Sequence, residues 1–138
     1  MENKLDFLAF GAHPDDVELG CSGALLKIID SGKKVGIIDL TLGELGTRGS
    51  SEIRSKETKQ ASKLLGINIR ENLKFKDGFF TNDIEHQMKV ISIIRKYKPE
   101  FIFCNAPDDR HIDHPKASKL IVESCFLSGL SKIKTVDD

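Results

Sequence analysis

Apolar residues fall into two alternating rhythms along the chain. Short continuous runs at residues 5–10, 35–40, 73–75 and 101–104 read as strands buried on both faces, the first opening with a single Asp and closed by Gly11. Longer segments between them carry apolar residues at helical spacing. Residues 20–29 group Leu25, Leu26, Ile28 and Ile29 and stop at Ser31-Gly32; residues 53–65 group Ile53, Ala61, Leu64 and Leu65 and close on Gly66 as C-cap. A third helix opens on Asn82, with Glu85 three positions on as a capping signal. It presents Ile84, Met88, Ile91 and Ile94, and ends before Pro99. The last starts near His114 or Pro115 and carries Ala117, Leu120, Ile121 and Cys125.

This alternation predicts an α/β, Rossmann-like parallel sheet covered by helices on both faces and joined by right-handed crossovers. No repeat or Pro/Gly/Ser-rich linker divides residues 1–138, so a single domain is expected. In the common 3-2-1-4 strand order, strands one and four are neighbours at the switch point, where ligands bind beyond the carboxyl ends of strands. The segments after those two strands therefore matter most. A fifth strand is expected near residues 131–138, where the chain stops; a sheet of four strands leaves one side of the switch point bare.

Composition narrows the function classes. Of 138 residues 39% are hydrophobic and 30% charged, ordinary enough for a globular domain. Lys plus Arg equals Asp plus Glu at 21 each, so no global field favours nucleic acid or an acidic membrane as partner. Met1-Glu2-Asn3-Lys4 is no signal peptide, and no run approaches the roughly 20 apolar residues of a membrane span, so a soluble, cytoplasmic protein is expected. Cys21, Cys104 and Cys125 form no Cys-x-x-Cys pair; Cys104 and Cys125 read as small core residues. Cys21, near the first motif, reads as structural before it reads as a metal neighbour.

The chemistry is concentrated after strands one and four. Ala12-His13-Pro14-Asp15-Asp16 follows the first, and His111-Ile112-Asp113-His114 follows the fourth; between them they hold three of the four histidines. Pro14 fixes the backbone between His13 and Asp16, so both side chains can converge on one cation, and His114 completes the set from the facing loop. Zinc takes such mixtures of three protein ligands and keeps a fourth position for water in catalytic sites. Nitrogen and oxygen donors also suit Fe2+, Mn2+ or Co2+. Asp15 adjoins Asp16 but points elsewhere, which makes it the candidate general base. His111 is the candidate to stabilise an oxyanion as imidazolium or to protonate a leaving amine, with Asp113 orienting the ring of His111 or His114. Taken singly, each motif reads better as a solvated turn. Their pairing at neighbouring strand ends is what favours a metal-dependent hydrolase.

Other features weigh less. The loop at residues 42–51, rich in glycine, lies on the same rim, where Arg48 offers a fixed cation for a hydroxyl or carboxylate. Glu18 either supports the first motif or faces water. His86 reads as solvated, as does the helix face of Lys56, Lys59 and Lys63. Asp77-Gly78-Phe79-Phe80 reads as a turn that buries its phenylalanines. Gly11-Ala12-His13 is not continued into a G-x-G-x-x-G fingerprint, so nucleotide binding is a weak reading.

Gly11-Ala12-His13-Pro14-Asp15-Asp16, the Thr41-Leu42-Gly43-Glu44-Leu45-Gly46-Thr47-Arg48-Gly49 loop and Arg110-His111-Ile112-Asp113-His114 together resemble the PIG-L or LmbE-like family of zinc-dependent N-acetylglucosaminyl de-N-acetylases. The wording is most similar to the bacillithiol-biosynthesis branch, which deacetylates N-acetylglucosaminyl malate. The resemblance implies His13, Asp16 and His114 as zinc ligands, Asp15 as base, His111 as transition-state stabiliser with Asp113 beside it, and Arg48, Arg110 and Glu44 as substrate-binding residues. It also implies a small-molecule amino-sugar conjugate as substrate and is compatible with a homo-oligomer. Family members continue for many tens of residues past this point, so residues 1–138 are expected to be the N-terminal catalytic part, lacking the usual C-terminal portion. The alternatives are another metal-dependent amidase, or a truncated, non-catalytic metal- or sugar-binding module.

Overall fold

A computed structural model describes residues 3–136. Its elements run β1 (Phe7–Gly11), α1 (Asp16–Asp30), β2 (Val35–Thr41), α2 (Ser51–Leu65), β3 (Ile69–Phe75), α3 (Ile84–Tyr97), β4 (Phe101–Phe103) and α4 (Asp113–Ser128). The four strands form one parallel sheet in the order β3-β2-β1-β4, as the strand–helix rhythm predicts. Phe7 pairs with Val35 on one side and Phe101 on the other, so β1 is central and its carboxyl end opens at the switch point. The fifth strand expected at residues 131–138 is absent among the described residues; 137 and 138 lie outside them.

Strand pleating sorts the core into two layers. Leu8, Phe10, Ile38 and Leu40 point to one face, where Val90, Ile94 and Tyr97 of α3 and Ala117, Leu120 and Ile121 of α4 cover them. Ala9, Val35 and Ile37 point to the other and meet Val17 and Leu25 of α1. The first two crossovers place α1 and α2 on one face. The α3 crossover then returns across the sheet to β4, on the other side of β1. That reversal brings the segments after β1 and β4 side by side.

Several boundaries differ from the sequence reading for local reasons. Helix α1 starts at Asp16 rather than Gly20 and is kinked at Cys21 (φ −148°), so its first turn is the end of the His13–Asp16 motif. Asp83, not Asn82, caps α3 by accepting the His86 N–H. Helix α2 buries none of its apolar positions, Leu64 being 84% exposed, whereas Ser50 caps it and Gly66 ends it in the left-handed conformation (φ 76°). Cys104 and Cys125 pack against the larger core layer and Cys21 against the smaller. Among the described residues no helix is long and apolar enough to cross a membrane.

A buried ion pair ties β2 to β3. Arg70 donates to both Asp39 carboxylate oxygens at 2.8 and 3.0 Å and also lies 3.0 Å from Glu18. Burial pushes the Asp39 carboxyl up to about 6 against the pull of the guanidinium. Glu18, expected near the motif or in water, is instead a partner of this arginine.

Candidate metal and active site

The site assembles because three loops at one end of the sheet are pinned to each other by backbone groups. Thr41, the last residue of β2, gives its hydroxyl and its N–H to Ala12 O at 2.9 and 3.1 Å. Asn105, just past β4, accepts the Ala12 N–H at 3.0 Å and donates to Asp16 Oδ2 at 3.1 Å. Asp16 Oδ2 also accepts the His13 N–H at 3.0 Å, which folds the His13–Asp16 segment back on itself.

Around Asp16 Oδ2 stand two imidazole nitrogens, His13 Nδ1 at 3.4 Å and His114 Nε2 at 3.3 Å. Their other nitrogens are engaged. His13 Nε2 lies 2.9 Å from Asp113 Oδ2 and 3.1 Å from Asp77 Oδ1, so it carries the ring proton. His114 Nδ1 bonds Asp109 Oδ2 at 2.9 Å. His13 Nδ1 and His114 Nε2 thus both turn towards the Asp16 carboxylate. His114 Nε2 is buried and makes no hydrogen bond. Such a face-off is unfavourable unless a cation lies between the groups. In a tetrahedral site with bonds of about 2.0–2.1 Å, neighbouring ligand atoms lie about 3.3 Å apart, close to the two contacts at Asp16. Among the described residues, two clusters have metal-binding spacing: His13, His111 and His114, and His13, Asp77 and Asp113.

Charge around the set is predominantly negative. Burial disfavours the charged form of His13, yet Asp16 and Asp113 outweigh it and raise its pKa to about 9. Asp16 is lowered to about 2, burial being overcome by His13 and Asn105. The His111 ring stacks on His114 with centroids 4.8 Å apart and meets His13 edge-on at 4.7 Å, so nitrogens of all three histidines lie within 4.8 Å of one another.

Asp113 departs from the role expected of it. Its buried carboxylate holds His13 rather than His111 or His114. Towards His111 it offers only its backbone N–H, which donates to His111 Nδ1 at 3.2 Å. That bond makes Nδ1 an acceptor and leaves Nε2 as the donor.

A cavity of about 590 Å³ opens over these groups. Asp15, His111 and Arg110 line it, with Arg54 and the backbone of Gly43 and Gly46. Asp15 is about half exposed (47%) and meets the Arg54 guanidinium at 4.0 Å. Arg54 was not singled out from the sequence; its place on the first turn of α2 aims it back at the loop, where it donates to Gly43 O at 3.2 Å. Gly43 has φ 62°, and a Cβ there would collide with that guanidinium. Arg48 is exposed and does not line the cavity. Glu44 accepts the Asp77 N–H at 2.7 Å. Asp77, Asn105 and Asp109 also escaped the sequence reading, as isolated polar residues with no spacing to mark them. Of the Asp77–Phe80 turn, Phe80 is buried but Phe79 is 67% exposed. His86 is partly covered, edge-on to Phe75 at 4.6 Å, rather than solvated. Cys21 lines a neighbouring cavity that also reaches Asp16 and His114, and belongs to neither of the clusters with metal-binding spacing.

Residues 8–125 match the family model described as PIG-L, GlcNAc-PI de-N-acetylase. The chain belongs to the PIG-L family. It is 29% identical over 140 residues to a diacetylchitobiose deacetylase of Thermococcus kodakarensis, covering 94% of this chain and 52% of that one. Among solved structures, the conserved protein TT1542 of Thermus thermophilus superposes with a TM-score of 0.89 at 43% identity, over 93% of this chain and 58% of the other. An N,N'-diacetylchitobiose deacetylase of Pyrococcus horikoshii, solved with an inhibitor, gives 0.85 at 29% identity, over 94% and 52%. This PIG-L chain thus spans about half the length of the Thermococcus relative.

Proposed function

We propose that this PIG-L chain hydrolyses the acetamido group of an N-acetylated amino-sugar conjugate, releasing acetate and the free amine. The observation that carries this reading is Asp16 Oδ2 flanked by His13 Nδ1 and by the unpaired His114 Nε2, beside a half-exposed carboxylate in an open cavity. His13 Nδ1, Asp16 Oδ2 and His114 Nε2 are the atoms that would hold the ion, zinc by preference, though the same donors also suit Fe2+, Mn2+ or Co2+. When bound, such an ion supplies Lewis acidity and makes water acidic enough to ionise near neutral pH.

The chain's own residues supply the rest. Asp15 takes a proton from water as the oxygen adds to the amide carbon. The Nε2–H of His111 donates to the carbonyl oxygen as negative charge builds there. Asp15 then returns its proton to the nitrogen, the C–N bond breaks, and the amine leaves. Asp113 and Asp109 keep the two ligand imidazoles in the tautomers this arrangement needs.

Arg54 and Arg110 on the cavity wall suit an aglycone that bears a carboxylate. They support the narrower assignment to N-acetylglucosaminyl malate and the bacillithiol branch; on that assignment residues 1–138 are the catalytic part of a cytoplasmic enzyme. Zinc-loaded protein is expected to release acetate from N-acetylglucosaminyl malate, and faster than from diacetylchitobiose. The reverse order would remove the bacillithiol assignment. Zinc binding with no acetate from any acetamido sugar would make the chain a binding module instead.

A further inference from the structure

Two carboxylates share one ring proton at His13. Asp113 Oδ2 lies 2.9 Å from Nε2 and Asp77 Oδ1 lies 3.1 Å from it. One acceptor is enough to fix an imidazole tautomer. Asp113 already does so from helix α4, braced by Lys116 at 3.2 Å and by the Gly78 N–H at 3.0 Å. A second buried carboxylate costs desolvation unless its remaining bonds accomplish something else.

Those remaining bonds lead to the glycine-rich loop. Asp77 Oδ2 accepts the Leu45 N–H at 3.0 Å, and the Asp77 N–H goes to Glu44 Oε1 at 2.7 Å. Gly78, at φ 73°, sits so close that a Cβ would lie 3.2 Å from Leu45 Cδ1. Elsewhere the loop is held at Gly43, whose O accepts from Arg54 and whose N–H goes to the Thr41 hydroxyl at 3.1 Å. Asp77 therefore joins the imidazole on one oxygen to the cavity wall on the other.

We propose that Asp77 is a positioning residue that couples the glycine-rich loop to the His13 ring, so that cation binding at His13 and ordering of the loop favour each other. This rests on the reading of His13 as a cation ligand. A cation on Nδ1 makes the ring a stronger N–H donor at Nε2, which holds Asp77 in place and presents Oδ2 to Leu45. Linkage makes the effect reciprocal: a loosened loop lowers cation affinity by the same factor.

The test follows Leu45 amide exchange and zinc affinity, the latter by chelator competition, in the whole chain. In the wild type, zinc is expected to slow Leu45 exchange by about fivefold or more. Asp77→Asn is isosteric, but a carboxamide has one acceptor oxygen and can serve Leu45 or His13, not both. It is expected to lose the zinc-dependent slowing and to bind zinc roughly tenfold more weakly. Asp113→Asn should weaken zinc as well but keep the slowing at saturating zinc, because it does not touch the loop. Zinc-dependent slowing that survives in Asp77→Asn, or zinc-saturated wild type with unchanged Leu45 exchange, would overturn the coupling alone. A wild type that takes up no zinc would overturn the coupling and the ligand set together.

Discussion

His114 Nε2 and Asp16 Oδ2 face each other at 3.3 Å across the gap between the ends of β4 and β1, and the buried His114 nitrogen has no hydrogen bond. On the proposed reading the pair holds a cation, and removal of either partner should remove it. Asp16→Ala and His114→Ala are each expected to weaken zinc by more than the 10–100-fold typical of residues that only support a ligand. Chelation of the wild type should abolish acetate release and added zinc restore it. Retained zinc affinity in His114→Ala would leave the three histidines, rather than this trio, as the binding set.

Asp15 adjoins Asp16 in sequence yet turns into the cavity, with Arg54 at 4.0 Å. Its loss should therefore separate chemistry from metal content. Asp15→Ala is expected to lower kcat by roughly 10²–10⁴-fold, the range for a positioned general base, with bound zinc unchanged. Metal analysis beside single-turnover rates checks this; loss of zinc in parallel with activity would make Asp15 a ligand instead.

Arg48 of the glycine-rich loop and Arg54 of α2 should differ sharply. Arg54 lines the cavity, whereas Arg48 is exposed away from it. Loss of one charge-assisted hydrogen bond is worth about 1.5–3 kcal/mol, so Arg54→Ala is expected to lower kcat/KM by roughly 10–100-fold on a carboxylate-bearing substrate. Arg48→Ala should stay within about twofold, as exposed substitutions generally do. Equal effects at both positions would return the substrate role to Arg48.

Periodicity was a reliable guide wherever burial on a sheet face set it. The strand order and the His13, Asp16 and His114 cluster follow from apolar runs and from what stands at their ends. The misses have a common cause, since they depend on contacts between distant segments. Helix α2 carries an apolar pattern of which Ile53 and Leu64 stay exposed, so its spacing misrepresents its packing. Asp77 and Asn105 are single polar residues whose importance comes from loops remote in sequence: Asp77 meets His13, and Asn105 meets Ala12 and Asp16. Arg54 looked like one more charge on a solvated helix until the loop at Gly43 folded against it. Asp113 was read from its nearest histidines, but helical geometry turns its carboxylate inward to His13 instead.

Asp83 makes the stability of α3 sensitive to acid. The Thr81 hydroxyl donates to its carboxylate, as do the His86 N–H at 3.0 Å and His86 Nδ1 at 2.7 Å. These bonds hold the carboxyl well below the usual carboxylate range. A folded pKa below the unfolded value of about 3.9 means that the folded chain binds fewer protons over that interval. The contribution is therefore present above about pH 3.9 and is lost as pH falls towards the folded value. Asn at this position still caps a helix but cannot be protonated in acid. Asp83→Asn, which lacks the charge, is expected to have a lower urea midpoint than the wild type at about pH 7, to lose less of it between about pH 5 and pH 3, and so to converge with the wild type in acid. Asp83→Ala, without any cap, should be less stable at every pH. An Asp83→Asn variant that follows the wild-type acid profile would place the acid-sensitive groups elsewhere in the chain.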